Sequence, residues 1–263
     1  AALERRELQL EGRLEVGVAP RGYLGLSPAF GLDSNERHGL MAHHLDLMRD
    51  DWAGRALQGG DCLYPVIHGL ADRIWQDAVF RKTYVTGGIG SIRFHEQFGA
   101  PYELPNLSAW NETCAAYGNV AWNHRMFLLH EDGRYMDVLE RVLYNGFLDG
   151  VSLKGDRFFY QNPLMSYGNY ERFEWINTPC CPPNVVRLIA SLGGYIYATR
   201  GADVYVSLFV GSTARLTPGG KPLIVRQETR YPWDGHVTVR VDPDRARRFR
   251  VFIRVPGWTD DEV

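Results

Sequence analysis

Apolar positions in the first two thirds of the chain recur at helical spacing, and towards its end they alternate. From Tyr64 to Lys82, YPVIHGLADRIWQDAVFRK sets Ile67, Leu70, Ala71, Ile74, Ala78 and Val79 along one face of a predicted helix, which TGGIGS then breaks. A second helix is predicted from Ser108 to about His130, with a stripe of Cys114, Gly118, Ala121, Trp122, Arg125 and Leu129. A third follows in RYMDVLERVLYNGFLDG, then a short strand in DRFFYQNPL. A fourth helix is predicted in NVVRLIASLGGYIYATR, where prolines suit the first turn. Past Gly201 the period drops to two. DVYVSLFVG, PLIVRQETRYPW, HVTVRVD and RRFRVFIRVPGW are rich in β-branched and aromatic residues, and turn signals such as TPGG and DPD separate them. Before about residue 60 the pattern is weaker: VAPRGYLGLSPAFGL reads as loop and HGLMAHHLDLMRDDWAGRAL as a further helix. Helices followed by strands predict a helical domain over 1–200 and the start of an antiparallel β-sandwich over 201–263.

Composition narrows the function classes. Of the 263 residues 45% are apolar and 23% charged, as in ordinary soluble proteins. A formal net charge of −2 without a basic run gives nucleic acid and anionic membranes no purchase. No stretch approaches the ~20 apolar residues of a membrane span. The chain opens at Ala1 without an initiator Met or a signal-peptide core and stops at PGWTDDEV, so it reads as a fragment at both ends. A chain of this size needs no disulfide staples, so Cys62, Cys114, Cys180 and Cys181 are expected as reduced thiols, which points to the cytoplasm. The aromatics of GGYIYATR and DVYVSLFV read as core. TGGIGS follows a helix rather than a strand and matches no dinucleotide or P-loop pattern.

The chemistry concentrates in NTPCCPPN, from Asn177 to Asn184. Neighbouring cysteines pair only in a strained ring. With prolines fixing the turn on both sides, both thiolates of Cys180 and Cys181 can instead face one metal. Zinc takes about four ligands from Cys, His, Asp and Glu. WNETCAAYGN offers Glu112 and Cys114, two positions apart. Mid-helix that spacing points to opposite faces, but at a first turn both can approach one ion, and a helix N-terminus favours thiolate and carboxylate. The candidate set is Glu112, Cys114, Cys180 and Cys181. The plainer alternative is three small cysteines in a helical core, the reading that suits the companionless Cys62. A metal-held thiolate stays deprotonated near neutral pH and can attack carbon, given a proton donor opposite. Glu96 in HEQFGAPYELP, Glu103, and Glu140 in DVLERVLYNG are the nearby acids.

The ordered set KTYVTGGIGS, HEQF, ELPN, NETCA, DVLERVLYNG, RFFYQNPL, CCPPNVVRLIASLGGYIY and YPWDG resembles glycoside hydrolase family 127, the β-L-arabinofuranosidases, from about Arg81 to Trp258. The resemblance implies part of an (α/α)6 barrel over 1–200, poorly matched over 1–60, followed by the beginning of a β-sandwich. It implies zinc on Glu112, Cys114, Cys180 and Cys181, with Cys180 as nucleophile and Glu96 as acid/base. It further implies sugar contacts from Glu140, Tyr160 and an upstream histidine, His44 by ungapped counting, with His43 or His38 in its place. The expected partner is an arabinose-containing oligosaccharide or glycoconjugate; many family members associate through their β-domains, which makes a homodimer one option. Two other readings stand beside this one. One is a two-carboxylate glycosidase using Glu96 and Glu140 with a structural zinc. The other is an inactive truncated scaffold that binds sugar or only folds around zinc.

Overall fold

The computed structural model describes residues 8–9 and 63–259, with 8–9 and 63–70 given by their backbone alone. His44, His43, His38, Cys62 and the early predicted helix lie outside the described residues. From Asp72 onward, with Leu8–Gln9, the described residues form one compact unit; residues 63–71 belong to another.

Helix α1 spans Leu63–Arg81 and buries Trp75 and Ala78, whereas Ile74 on the predicted stripe is about half exposed. Helix α2 spans Thr113–His130, and its buried face is not the predicted one. Gly118 is exposed, while Ala116, Asn119, Val120, Asn123, His124 and Phe127 are buried. The polar members of that face are tolerated because they are satisfied. Trp75 Nε1 donates to Asn123 Oδ1 at 2.7 Å, Asn123 Nδ2 donates to Asn119 Oδ1 at 2.7 Å, and Asn119 Nδ2 donates to the Gly87 carbonyl at 3.0 Å.

Helix α3, Gly133–Arg141, is capped by Asp132, whose Oδ1 accepts from the Arg134 amide at 2.9 Å. The predicted third helix then loosens into a π-turn over Val142–Phe147 and a 3-10 turn over Leu148–Gly150. The expected strand in DRFFYQNPL forms only isolated bridges from Phe158 to Val151 and Phe173. Its backbone turns instead towards the start of α2, where Thr113 N donates to Tyr160 O at 2.9 Å and Asn162 N donates to Trp110 O at 3.1 Å.

Helix α4 covers Cys181–Ser191, with prolines in its first turn, and buries Cys181, Pro182, Val185 and Leu188 along one stripe. After the short α5, Gly193–Ile196, the chain becomes extended. Tyr197–Arg200 is strand β2 rather than the end of the predicted helix. The first sheet has the order β1 (Leu8–Gln9), β2, β3 (Asp203–Val206), β7 (Val251–Ile253). β3 and β7 run parallel, with Val204 opposite Val251, a departure from the all-antiparallel expectation. The second sheet is antiparallel: β4 (Ser212–Leu216), β5 (Leu223–Thr229), β6 (Val237–Pro243). β4 falls outside the predicted strands, yet Ser212, Ala214 and Leu216 alternate inward against exposed Thr213 and Arg215. Ile196, Tyr197, Val204, Val206, Phe209, Leu223 and Val225 form the core of this part, so these aromatics pack inside as expected. No described helix is long and apolar enough to cross a membrane.

Candidate active site

Two helix starts meet at the site. Cys114 lies in the first turn of α2 and Cys181 opens α4, and the residues that flank these starts are Glu112 and Cys180. Glu112 has extended backbone (φ −64°, ψ 141°), which is how residues two apart turn to one point. Each helix also directs its unpaired amide groups and positive dipole end there, which favours negative charge but does not outweigh burial.

The four donor atoms lie within 4.8 Å of one another. Cys114 Sγ is 3.4 Å from Cys181 Sγ, and Cys180 Sγ is 3.7 Å from Cys181 Sγ. Glu112 Oε1 stands 3.6 Å from Cys180 Sγ and 3.7 Å from Cys181 Sγ. The three cysteines are free thiols. A tetrahedron with sulfur bonds of about 2.3 Å has edges of about 3.8 Å, so the donor set fits one divalent ion of zinc's size. The ionisation of the groups makes the same point. Burial raises the Glu112 carboxyl above its ordinary value, and burial pushes the Cys180 thiol up to about 11. The hydrogen bond that Cys114 donates to Cys181, and then burial, raise the Cys114 thiol as well. Without a cation this corner disfavours negative charge; a bound cation reverses that preference. The cluster could therefore hold a metal ion.

The surrounding groups are ordered in layers. Trp110 Nε1 donates to Glu112 Oε2 at 3.3 Å, and Trp110 packs against Tyr160 with ring centroids 5.4 Å apart. The Tyr160 hydroxyl donates to Glu96 Oε1 at 2.8 Å, and it is close enough to Cys180 for each to perturb the other's ionisation. Glu96 is exposed and sits in a 3-10 turn over Phe94–Glu96 in which His95 (φ 57°) and Glu96 (φ 50°) are both left-handed. Two consecutive non-glycine residues in that region cost about 1–2 kcal/mol each, a strain typical of functional positions. Behind Glu112, Asn111 is also left-handed (φ 47°) and forms a reciprocal pair with Asn162: Asn111 Nδ2 donates to Asn162 O at 3.1 Å, and Asn162 Nδ2 to Asn111 O at 2.8 Å. Asn184 Nδ2 donates to Cys114 Sγ at 3.1 Å.

The structure thus gathers Glu96, Glu112, Cys114, Tyr160, Cys180 and Cys181. Glu140 is bonded to other residues: its Oε1 accepts from Arg254 Nη2 at 2.6 Å and its Oε2 from Trp258 Nε1 at 3.2 Å. Among the described residues no hydrogen bond joins it to the cysteines. Trp110, Asn111, Asn162 and Asn184 escaped the sequence reading, although Trp110 and Asn111 adjoin Glu112 and Asn184 closes the CCPPN motif.

This arrangement defines a helical protein that runs into β-sheets and carries a candidate metal centre of three cysteines and a glutamate, with Glu96 close by. The β-L-arabinofuranosidase GH127 catalytic-domain model matches residues 57–194, and the GH127 middle-domain model matches 203–263. The chain belongs to glycoside hydrolase family 127. It is 38% identical over 207 residues to a non-reducing end β-L-arabinofuranosidase of Bifidobacterium longum subsp. longum, covering 72% of this chain and 31% of that protein. A solved GH127 β-arabinofuranosidase is 50% identical, with a TM-score of 0.68 over 71% of this chain and 29% of its own. A GH127 β-L-arabinofuranosidase from Geobacillus stearothermophilus T6 is 40% identical, with a TM-score of 0.67 over 74% of this chain and 34% of its own. The chain therefore spans about a third of the length of these relatives.

Proposed function

We propose that the site belongs to a retaining glycoside hydrolase that releases β-L-arabinofuranose from an arabinose-containing oligosaccharide or glycoconjugate. The observation that carries the reading is the Tyr160 hydroxyl, 2.8 Å from Glu96 Oε1 and beside Cys180 at the rim of the donor cluster. Zinc is the ion the set suits, held by Glu112, Cys114, Cys180 and Cys181. When bound it would keep the Cys180 sulfur ionised and make that sulfur a tolerable leaving group.

The chain's own residues supply the rest. The Cys180 sulfur bonds the anomeric carbon as the glycosidic bond breaks, and Glu96 gives its proton to the departing oxygen. Tyr160 occupies Oε1 of Glu96, which leaves Oε2 to carry that proton. Glu96 then takes a proton from the water that displaces the sulfur. Two inversions return the starting configuration, the retaining logic with sulfur in place of a second carboxylate. Tyr160, Glu140 and His44 are assigned to sugar hydroxyls. Glu140, already shared between Arg254 and Trp258, makes a poor nucleophile for the two-carboxylate alternative. In this reading the helices are part of an (α/α)6 barrel, and the β-sandwich domain begins near residue 201.

The test is a Cys180→Ala variant assayed on an aryl β-L-arabinofuranoside, beside mass spectrometry of the wild-type peptide after a brief incubation with that substrate. Loss of turnover in the variant and one pentosyl group on wild-type Cys180 are expected. Normal turnover by the variant would remove Cys180 from the reaction.

A further inference from the structure

Three cysteine sulfurs on one ion would be near-equal in chemistry, yet the proposed reaction uses one. Their surroundings differ in a way that selects among them. Cys181 is fully buried. Cys114 Sγ receives the side-chain amide of Asn184 at 3.1 Å. The orientation of that amide is fixed from its other end, because Arg187 Nη1 donates to Asn184 Oδ1 at 2.8 Å. A guanidinium has no acceptor, so the oxygen of Asn184 must face Arg187 and its NH2 must face the sulfur. Arg187 lies three positions on in α4, within reach by helical geometry, and its charge polarises the amide into a stronger donor. Cys180 has a different neighbour: the Tyr160 hydroxyl, which directs its proton to Glu96 Oε1 at 2.8 Å.

We infer that Asn184, oriented by Arg187, is a positioning residue that quiets the Cys114 sulfur and leaves Cys180 as the reactive thiolate of the cluster. An N–H donor draws charge from a thiolate without competing for its metal bond, and outer partners of this kind change metal affinity by about 10–100-fold. The inference rests on the metal reading given above, and its test separates the two.

The chain is loaded with cobalt(II), its sulfur-to-cobalt charge-transfer band is recorded, and it is treated with iodoacetamide. Alkylation forms a sulfur–carbon bond as the carbon–iodine bond breaks and iodide leaves, so peptide mapping reports which sulfur is nucleophilic. In the wild type the label is expected on Cys180. In Asn184→Ala the band should move to longer wavelength, the label should divide between Cys180 and Cys114, and cobalt should bind about tenfold more weakly. Arg187→Met, at an exposed position, should shift band and label in the same direction by less. A cobalt-loaded Asn184→Ala protein with the wild-type band and label on Cys180 alone overturns the inference. Should that variant fail to fold or bind, Arg187→Met decides: a shifted band with Cys114 labelling supports the assignment, and wild-type behaviour overturns it. A wild type with no sulfur-to-cobalt band sinks the metal reading itself.

Discussion

Burial holds the His124 imidazole down at about 4, while burial lifts the Asp149 carboxyl to about 6. The two shifts act on stability with opposite signs. His124 is charged in the unfolded chain below its ordinary value near 6.5 but stays neutral in the fold, so its contribution is lost as pH falls from about 6.5 to 4. Asp149 ionises in the unfolded chain above 3.8 but keeps its proton in the fold, so its contribution is lost as pH rises from 3.8 to about 6. Over the shared window the two offset, each by roughly 3 kcal/mol at most. Urea denaturation at stepped pH should therefore show a shallow wild-type dependence between about 4 and 6. Asp149→Asn should steepen the loss of stability on acidification, and His124→Phe should reverse its sign. Parallel profiles for all three proteins would count against this account. At this scale the candidate site was legible where chemistry sits next to chemistry, as in NETC and PCCPP. Asn184 was not, because an amide donating to sulfur looks in a sequence like any surface asparagine.

Among the elements, the Gly-rich loop shows how a segment with no chemistry of its own serves the site. TGGIGS cradles the chain before α2: Asn111 N donates to Gly90 O at 2.7 Å and Trp110 N to Ser91 O at 3.4 Å. A Cβ on Gly88 would lie 1.7 Å from Asn111 Oδ1, and one on Gly146 of the π-turn would lie 3.0 Å from Gly88 N and 3.1 Å from Thr86 O. Close backbone approach, rather than phosphate, explains these glycines. Gly88→Ala should destabilise by about 1–3 kcal/mol and weaken cobalt binding, because Asn111 must shift and Glu112 moves with it. Gly155→Ala, in an open turn at φ 74°, should cost about 1 kcal/mol and leave metal binding unchanged. Thermal melts and cobalt titrations check both; equal metal affinities would break the link between loop and site. The same region shows why elements were partly illegible. The existence of α1 to α4 followed from period alone, but the core face of α2 carries Asn119, Asn123 and His124, polar residues a hydrophobic stripe passes over. The π-turn depends on a contact distant in sequence, Gly146 with the Gly-rich loop, and the switch to strand at Tyr197 on its pairing with Val206 across a hairpin, neither of which helical periodicity registers.

On the scale of the molecule, the helical part and the first sheet are joined by charge. Arg254, just past β7, is almost fully buried, and it donates to Asp137 Oδ1 at 2.6 Å, Glu140 Oε1 at 2.6 Å and the Ser207 carbonyl at 2.7 Å. Glu131 at the end of α2 accepts from Arg200 at 2.6 Å and from the Tyr205 hydroxyl at 2.8 Å. None of this was legible beforehand, because Asp137 and Arg254 stand 117 positions apart. A buried pair broken on one side leaves an uncompensated charge and costs about 3–5 kcal/mol, whereas replacing all its members is often near neutral. Arg254→Met strands two carboxylates on α3 and should cost about that much. Its effect should also change the form of unfolding, since β7 is the strand that ties Arg254 to the sheet. Chemical denaturation followed by tryptophan fluorescence and by far-UV circular dichroism should give coincident transitions in the wild type. In Arg254→Met the transitions should separate, with the sheet lost first. Adding Asp137→Asn and Glu140→Gln to that variant removes the stranded charges and should restore about half or more of the loss. If the triple variant is no more stable than Arg254→Met, the arginine stabilises by packing its stem rather than by pairing its charge.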